Sequence, residues 1–214
     1  MMTIKLPKGL VGIGVAILVL SGCAAKPSVS EYQCMAGDWQ SIGYRDGSQG
    51  LARSQVLKHA EACGEYGVVP DRPSYVAGWQ EGIAEFCTPQ NGFDLGERGR
   101  GLNRQCKDSA FSNAYYEGRE LYQARREVQQ LASSLNAAEH RLETIDTDIV
   151  EATAAQLLPD LTAQERLALA ADLKALVEER ARLRDEVPAL AYDLSASQAR
   201  LDELERVQPQ FSMR

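Results

Sequence analysis

The sequence predicts an all-α protein in which a small helical domain held by disulfides is followed by a long antiparallel coiled-coil hairpin. Apolar residues recur at spacings of three and four along most of the chain, which is the period of a helix. All five cysteines precede residue 107, so disulfides can stabilise only the first half. We expect five parts: a signal peptide (1–22), a lipidated tether (23–30), a cysteine-bearing domain (31–108), a hairpin (109–207) and a tail (208–214).

The first 22 residues have the pattern of an export signal. Two lysines and no acid precede 9–20, a run of twelve residues without a charge. A helix needs about 20 apolar residues to cross a bilayer, so this run is too short for a permanent anchor. Its end, 20–23, resembles a bacterial lipobox, which implies cleavage before Cys23 and attachment of lipid to that cysteine. By the same resemblance Ala24, which is not an aspartate, favours the outer membrane.

Composition restricts the partners of the mature chain. The signal peptide contains two of the 23 basic residues and none of the 30 acidic ones, which leaves 21 against 30 and a formal net charge of −9. Nucleic acids gain affinity from Lys and Arg that replace counterions, so we expect no nucleic-acid binding. The sequence also lacks a nucleotide P-loop, a dinucleotide fingerprint, a His-Glu-x-x-His motif and a Gly-x-Ser-x-Gly elbow. We expect no enzyme activity, no nucleotide, no cofactor and no metal.

Within the cysteine-bearing domain, apolar and aromatic residues indicate three helices. The segments with helical spacing are 36–46, 51–63 and 74–87. Gly43 with Gly47, and Gly78 with Gly82, stand four residues apart beside aromatic residues. On a helix such glycines share a face and allow another backbone to approach, whereas at helix ends they serve turns. Both interpretations are open at this point.

The four cysteines beyond Cys23 predict two disulfides in an oxidising compartment, and three pairings exist. If the first two helices form an antiparallel hairpin, Cys34 and Cys63 meet at its open end. Cys87 and Cys106 then bracket the glycine-rich segment 91–101, which we expect to be a loop. The geometry favours Cys34–Cys63 and Cys87–Cys106.

Several of these residues together resemble a family of bacterial lipoproteins, the domain of unknown function 2799 family. The matching residues lie between about 30 and 122: Asp38-Trp39, Gly43, Asp46-Gly47, His59, Ala62-Cys63, Tyr75, Gly78, Gly82, Cys87, Pro89 and Tyr115 to Gly118. The resemblance implies a lipoprotein and brings no established activity and no catalytic residues.

Two heptad stripes predict the hairpin. The first consists of Leu121, Ala124, Val128, Leu131, Leu135, Ala138, Leu142, Ile145, Ile149 and Ala152. The second consists of Leu169, Leu173, Leu176, Arg180, Leu183, Val187, Leu190, Leu194, Ser197, Leu201 and Leu204. They are separated by a turn near 157–162, and Thr162 with Glu165 has the signature of a capping box for the second helix.

A fold-back centred on Pro159 predicts the register of the hairpin. It places Ile145 opposite Leu173, Ala138 opposite Arg180 and Phe111 opposite Val207. Pro188 lies within the second helix, where it removes one hydrogen bond and is expected to cause a kink.

Two pairs of residues have the composition of a chemical site. His59 and Cys63 are four apart, a spacing that can hold zinc, but Cys63 is expected in a disulfide. His59 is then a packing residue with a hypothetical pH-responsive role. Asp38 and Asp46 flank aromatic residues, as glycosidase carboxylates do. Eight residues of helix separate them by about 12 Å, outside either glycosidase geometry, so we expect both to cap helices.

The functional hypothesis is interaction with another envelope protein. Apolar residues crowd the predicted tip, and the candidates for partner contact there are Leu157, Leu158, Leu161 and Leu167. A cationic docking candidate in the glycine-rich segment consists of Arg98, Arg100 and Arg104. We expect a lipoprotein anchored in the outer membrane and facing the periplasm, whose arm binds the partner. The alternative is a domain that binds or hydrolyses peptidoglycan, with the arm as a spacer.

Overall fold

The computed structural model describes residues 27–207, and this part of the chain is all-helical. In chain order the helices are α1 (Glu31–Ala36), α2 (Trp39–Ser48), α3 (Gln55–Gly64), α4 (Arg72–Phe86), α5 (Pro89–Glu97), α6 (Ser109–Ala155) and α7 (Ala163–Val207). None of the helices in 27–207 combines the length and hydropathy that crossing a lipid bilayer requires.

Helices α2 and α4 run parallel and touch through their backbones. A Cβ atom on Gly43 would overlap the carbonyl oxygen of Tyr75, and one on Gly78 would overlap that of Gln40. Gly47 and Gly82 make equivalent contacts one turn further along. These glycines therefore serve close helix approach, and the alternative of turn glycines does not apply to them.

The segment 91–101 is predicted as a loop, and this prediction is wrong for most of its length. Residues 89–97 form α5, which begins at the N-cap Thr88 and has Pro89 in its first turn. Gly92 and Gly96 lie against the backbone of α6, where a Cβ would overlap the carbonyl oxygens of Phe111 and Tyr115. A helix that packs through its backbone needs few large apolar side chains, which is why its composition resembles that of a loop.

The pair α5–α6 repeats the pair α2–α4. Three glycines of α2 and its C-terminal turn recur with unchanged spacing 49 positions later: Gly43, Gly47 and Gly50 correspond to Gly92, Gly96 and Gly99. The partner helix repeats with a shift of 36 positions: Tyr75, Gly78, Trp79, Gly82 and Phe86 correspond to Phe111, Ala114, Tyr115, Gly118 and Tyr122. One hydrogen bond also repeats, because the Trp79 indole donates to the Leu51 carbonyl at 2.8 Å and the Tyr115 hydroxyl to the Arg100 carbonyl at 2.9 Å.

One disulfide belongs to each helix pair. Cys34 is bonded to Cys63, and Cys87 is bonded to Cys106, which is the pairing that the sequence favours. In both pairs the first cysteine precedes the glycine-bearing helix and the second precedes its partner helix. The domain therefore consists of two similar units, each with its own disulfide, and α3 is present only in the first unit.

The arm is formed by α6 and α7, which contain 47 and 45 residues and are each about 70 Å long. Every position of both predicted stripes is buried or half-buried, so the predicted seam is confirmed. At the base of the arm Phe93 from α5, Leu121 and Ala124 from α6, and Leu201 from α7 form one apolar cluster. From Ala124 to the tip the hairpin projects about 50 Å.

The register of the hairpin differs from the predicted one. Arg180 forms an ion pair with Asp146, which is eight residues from Ala138, its predicted neighbour. Arg125 pairs with Glu205 at 3.0 Å, whereas the predicted register places Glu205 beside Asn113, about 18 Å away along α6. Arg141–Glu179 and Arg200–Glu120 are offset in the same direction by only two residues, so the four ion pairs give a mean shift of about six residues, close to one heptad. The connection over 156–162 therefore does not turn symmetrically about Pro159.

Candidate functional site

A buried polar network lies in the first helix pair. Asp46 is 3 % exposed and its Oδ2 accepts hydrogen bonds from the Tyr75 hydroxyl at 2.8 Å and from His59 Nε2 at 2.6 Å. A third contact to this carboxylate comes from Arg45, whose guanidinium lies 3.7 Å from Oδ1. Because burying a carboxylate is costly unless donors surround it, these contacts make its position possible. Asp38 does cap α2, but Asp46 is not a cap, so the expectation for Asp46 is wrong.

His59 connects this carboxylate to the N-terminal segment of the described chain. The His59 side chain is 1 % exposed, and its Nδ1 lies 2.8 Å from Ser28 Oγ. Asp46 as the acceptor requires a proton on Nε2, and Nδ1 shares a hydrogen bond with the Ser28 hydroxyl. The network therefore runs from Tyr75 through Asp46 and His59 to Ser28.

Residues 28–30 are packed on the domain, although their composition predicts a tether without structure. Val29 is 3 % exposed and belongs to the core of the first unit. Ser30 is the N-cap of α1 and forms a capping box with Gln33. Each of the three residues thus contacts the domain in a different way, and the chain is packed on the domain from Ser28 onward.

Burial and the neighbouring Asp46 carboxylate raise the pKa of the Tyr75 hydroxyl. Removing its proton would place a second negative charge beside Asp46 in a site without water contact. Tyr75 is therefore a fixed hydrogen-bond donor at neutral pH and cannot serve as a base there. Tyr75, Asp46 and His59 are almost fully buried, whereas Ser28 is half-buried at the edge of the network.

The zinc hypothesis for His59 and Cys63 fails on geometry. Cys63 is bonded to Cys34, and both ring nitrogens of His59 have partners. Among residues 27–207 no cluster of three or more His, Cys, Asp or Glu side chains has the arrangement of a metal site.

At the other end of the molecule, α7 extends beyond the end of α6. Gln156, which caps α6, shares a surface groove with Ala170 and Leu173 of α7. Helix α7 begins at Ala163, so its first seven residues or so extend past the end of α6. Arg166 donates to the carbonyl oxygens of Gln156, Leu158 and Pro159 at 3.3 to 3.4 Å. The predicted capping box is present, because Thr162 and Glu165 exchange side-chain to backbone hydrogen bonds. These contacts join the connection between the helices to the first turn of α7.

The tip exposes three of the four predicted leucines. Leu157 is 82 % exposed, Leu158 is 56 % exposed and Leu167 is 73 % exposed, whereas Leu161 is half-buried. The groove beside them is lined by Ala170, Leu173 and Val177. Leu167 is exposed because α6 has already ended at its level.

The predicted arginine cluster is spread over the end of α5 and the segment that follows. Arg98, Arg100 and Arg104 are all exposed, and the only carboxylate within 4.0 Å of their guanidinium groups in the described chain belongs to Asp94, beside Arg98. The Tyr115 hydroxyl donates a hydrogen bond to the backbone carbonyl of Arg100, which fixes the backbone there. The predicted lipidation site, Cys23, lies outside the described residues.

The polar network is the feature that the sequence does not predict. Asp46 and Tyr75 are 29 positions apart and belong to different helices. The repeat is the one signal in the sequence that could have indicated the network. Aligning the two units by their glycines places Asp46 against Leu95 and Tyr75 against Phe111, so polar residues stand where the second unit has apolar ones.

Fold and site define a disulfide-linked helical domain of two repeated units that carries a coiled-coil arm. Residues 38–120, which cover both units from α2 to the base of α6, match the model of a family described as protein of unknown function (DUF2799). No curated protein and no solved structure matches the chain.

Proposed function

We propose that this protein is a lipoprotein of the bacterial outer membrane, anchored through Cys23 and facing the periplasm, whose arm binds another envelope protein. The lipobox-like segment 20–23 supports the anchor, and the two disulfides suit an oxidising compartment. In this proposal the protein is a structural or interaction module without enzyme activity and binds neither nucleotide nor nucleic acid.

The observation that carries the interaction proposal is the apolar tip. Leu157, Leu158 and Leu167 are exposed at the end of an arm that extends about 50 Å from the domain. Contiguous apolar side chains on a soluble surface are typical of protein–protein contact sites. The partner therefore presents an apolar surface, and it lies away from the membrane at which the domain is held.

Crosslinking in cells tests this proposal at single positions. A photoreactive residue at Leu157 or Leu167 is expected to give a discrete protein adduct. Tyr192 is the matched control, because its large side chain is 75 % exposed but lies far from the tip on α7. Equal adduct patterns from all three positions, or no adduct from the tip, would refute the proposal.

Shortening the arm distinguishes the interaction role from the alternative. Replacing residues 142–183 by a short turn removes the tip and keeps the base, including the cluster of Leu121, Ala124 and Leu201. Loss of the crosslinked partner is expected. Binding or cleavage of isolated peptidoglycan that persists in the shortened protein would instead favour a cell-wall function of the domain, with the arm as a spacer.

Processing tests the anchor independently. Globomycin or Cys23→Ser is expected to leave a larger, unprocessed chain and to change its membrane fractionation. Unchanged size and fractionation would refute lipidation.

A further inference from the structure

The two repeated units differ in one respect that the fold itself does not require. In the first unit Asp46 and Tyr75 form the buried polar network, and in the second unit the corresponding residues are Leu95 and Phe111. Three of the four close glycine contacts of the first unit recur in the second, where Ala114 replaces Gly78. The hydrogen bonds from Trp79 and Tyr115 go to carbonyl groups at corresponding positions. The second unit is therefore an internal control, which shows that this helix pairing forms with apolar side chains at both positions.

Replacing buried charged groups by apolar groups of similar size is often neutral or stabilising. A buried carboxylate with its donors is thus a poor choice for stability alone, and the second unit omits it. What the first unit has in addition is α3, which carries His59, and the packed segment 28–30. Both additional elements are joined to Asp46 through the His59 ring.

We propose that the Tyr75–Asp46–His59–Ser28 network is a latch, a positioning site on the first unit for the chain's own N-terminal segment. Tyr75 and Asp46 fix the His59 ring, and the ring fixes Ser28. Val29 and the Ser30 cap then follow in a set path toward α1. The partner of this site is the segment 28–30 itself, which offers a hydroxyl group followed by one apolar side chain.

The latch has a consequence for the anchor, and this consequence rests on the proposed function. Five residues lead from Cys23 to Ser28, and they span at most about 17 Å. With the segment latched, the distance from Cys23 to the first unit cannot exceed this span. The first unit would then lie close to the membrane with a restricted orientation, and the arm would point in a defined direction.

Amide hydrogen exchange on the full chain, as the cell processes it, tests the latch. In Asp46→Leu/His59→Leu/Tyr75→Phe, positions 46 and 75 receive the residue types of the second unit, and His59, which has no counterpart there, becomes an apolar leucine. We expect the exchange of α2 and α4 amides to remain as in the wild type, while the amides of Ser30, Gln33 and Cys34 exchange about tenfold faster. Ser28→Ala is expected to accelerate the same three amides to a smaller extent.

Ser54→Ala is the matched control, because Ser54 lies in the same unit and its side chain makes no capping hydrogen bond. It should leave all three amides unchanged. Global unfolding of the triple variant would show that the fold requires the network. Unchanged exchange near Ser30 in both the triple variant and Ser28→Ala would show that the network does not position the segment 28–30. Either result overturns the proposal. The measurement does not depend on whether Cys23 carries lipid, so failure of the latch and failure of the anchor are distinguishable.

Discussion

At the scale of single residues, the positions between the parallel helices are the most restrictive, because they accept no side chain larger than that of glycine. Gly43→Ala would place a methyl group on the carbonyl oxygen of Tyr75, and neither backbone can move without separating α2 from α4. We expect a loss of about 2 to 3 kcal/mol in the free energy of unfolding, typical of overpacked sites. Denaturant unfolding measures this loss.

Gly64→Ala is the matched control, because Gly64 is helical and a Cβ atom there meets no atom within 4 Å. It should change the free energy of unfolding by no more than about 1 kcal/mol, in the stabilising direction. Equal effects of the two substitutions would mean that the helices are further apart than the structure shows.

Tyr75 predicts a specific dependence of stability on pH. Its pKa is raised in the folded state, so the hydroxyl ionises in the unfolded state, at about pH 10, before it ionises in the folded state. The stabilisation from this group is complete below that pH and is lost as pH rises toward the folded-state pKa. The difference in the free energy of unfolding between the wild type and Tyr75→Phe should therefore be constant from pH 7 to 9 and shrink above about pH 10. Urea unfolding across this range measures it, and a difference that stays constant to pH 11 would contradict the buried environment.

At the scale of elements, Pro188 is the residue that helix α7 tolerates least. The helix continues through this proline, which cannot donate the backbone hydrogen bond of its position. Its ring is exposed, so replacement loses little packing. We expect Pro188→Ala to stabilise the protein by up to about 3 kcal/mol, measured by denaturant unfolding.

Pro159→Ala provides the comparison, since Pro159 is also exposed but lies in the connection between α6 and α7. There is no interior helical hydrogen bond to restore, and we expect little change. A greater increase in the free energy of unfolding from Pro159→Ala than from Pro188→Ala would contradict the observation that α7 continues through Pro188.

The elements also show which parts of the fold the sequence can predict. The stripes of α6 and α7 depend on local periodicity, so they are predicted position by position. Helix α5 is missed because Gly92 and Gly96 contribute backbone contact instead of apolar side chains. The register is missed because it depends on the path of 156–162, which periodicity does not determine. The polar network is missed because it needs residues from four separate segments to meet: Ser28, Asp46 of α2, His59 of α3 and Tyr75 of α4.

At the scale of the whole molecule, α6 joins the domain to the arm. Its first part is the partner helix of the second unit, and its remainder is half of the hairpin. Arg125 reinforces this junction by pairing with Glu97 of α5 at 2.7 Å and with Glu205 of α7 at 3.0 Å. The direction of the arm is consequently set by the second unit, whereas the position of the N-terminal segment is set by the first.

This division predicts different effects for the two disulfides. Their loops span 29 and 19 residues, so losing either one should cost about 3 to 4 kcal/mol in the chain-entropy model. Cys87→Ala/Cys106→Ala should also accelerate amide exchange at the base of the arm, because it loosens α5 against α6. Cys34→Ala/Cys63→Ala should accelerate exchange in α1 and α3 and leave the base of the arm protected. Hydrogen exchange on both variants measures this contrast. Equal loss of protection at Leu121 and Leu201 in the two variants would mean that the units unfold as one, and that the second unit does not set the arm by itself.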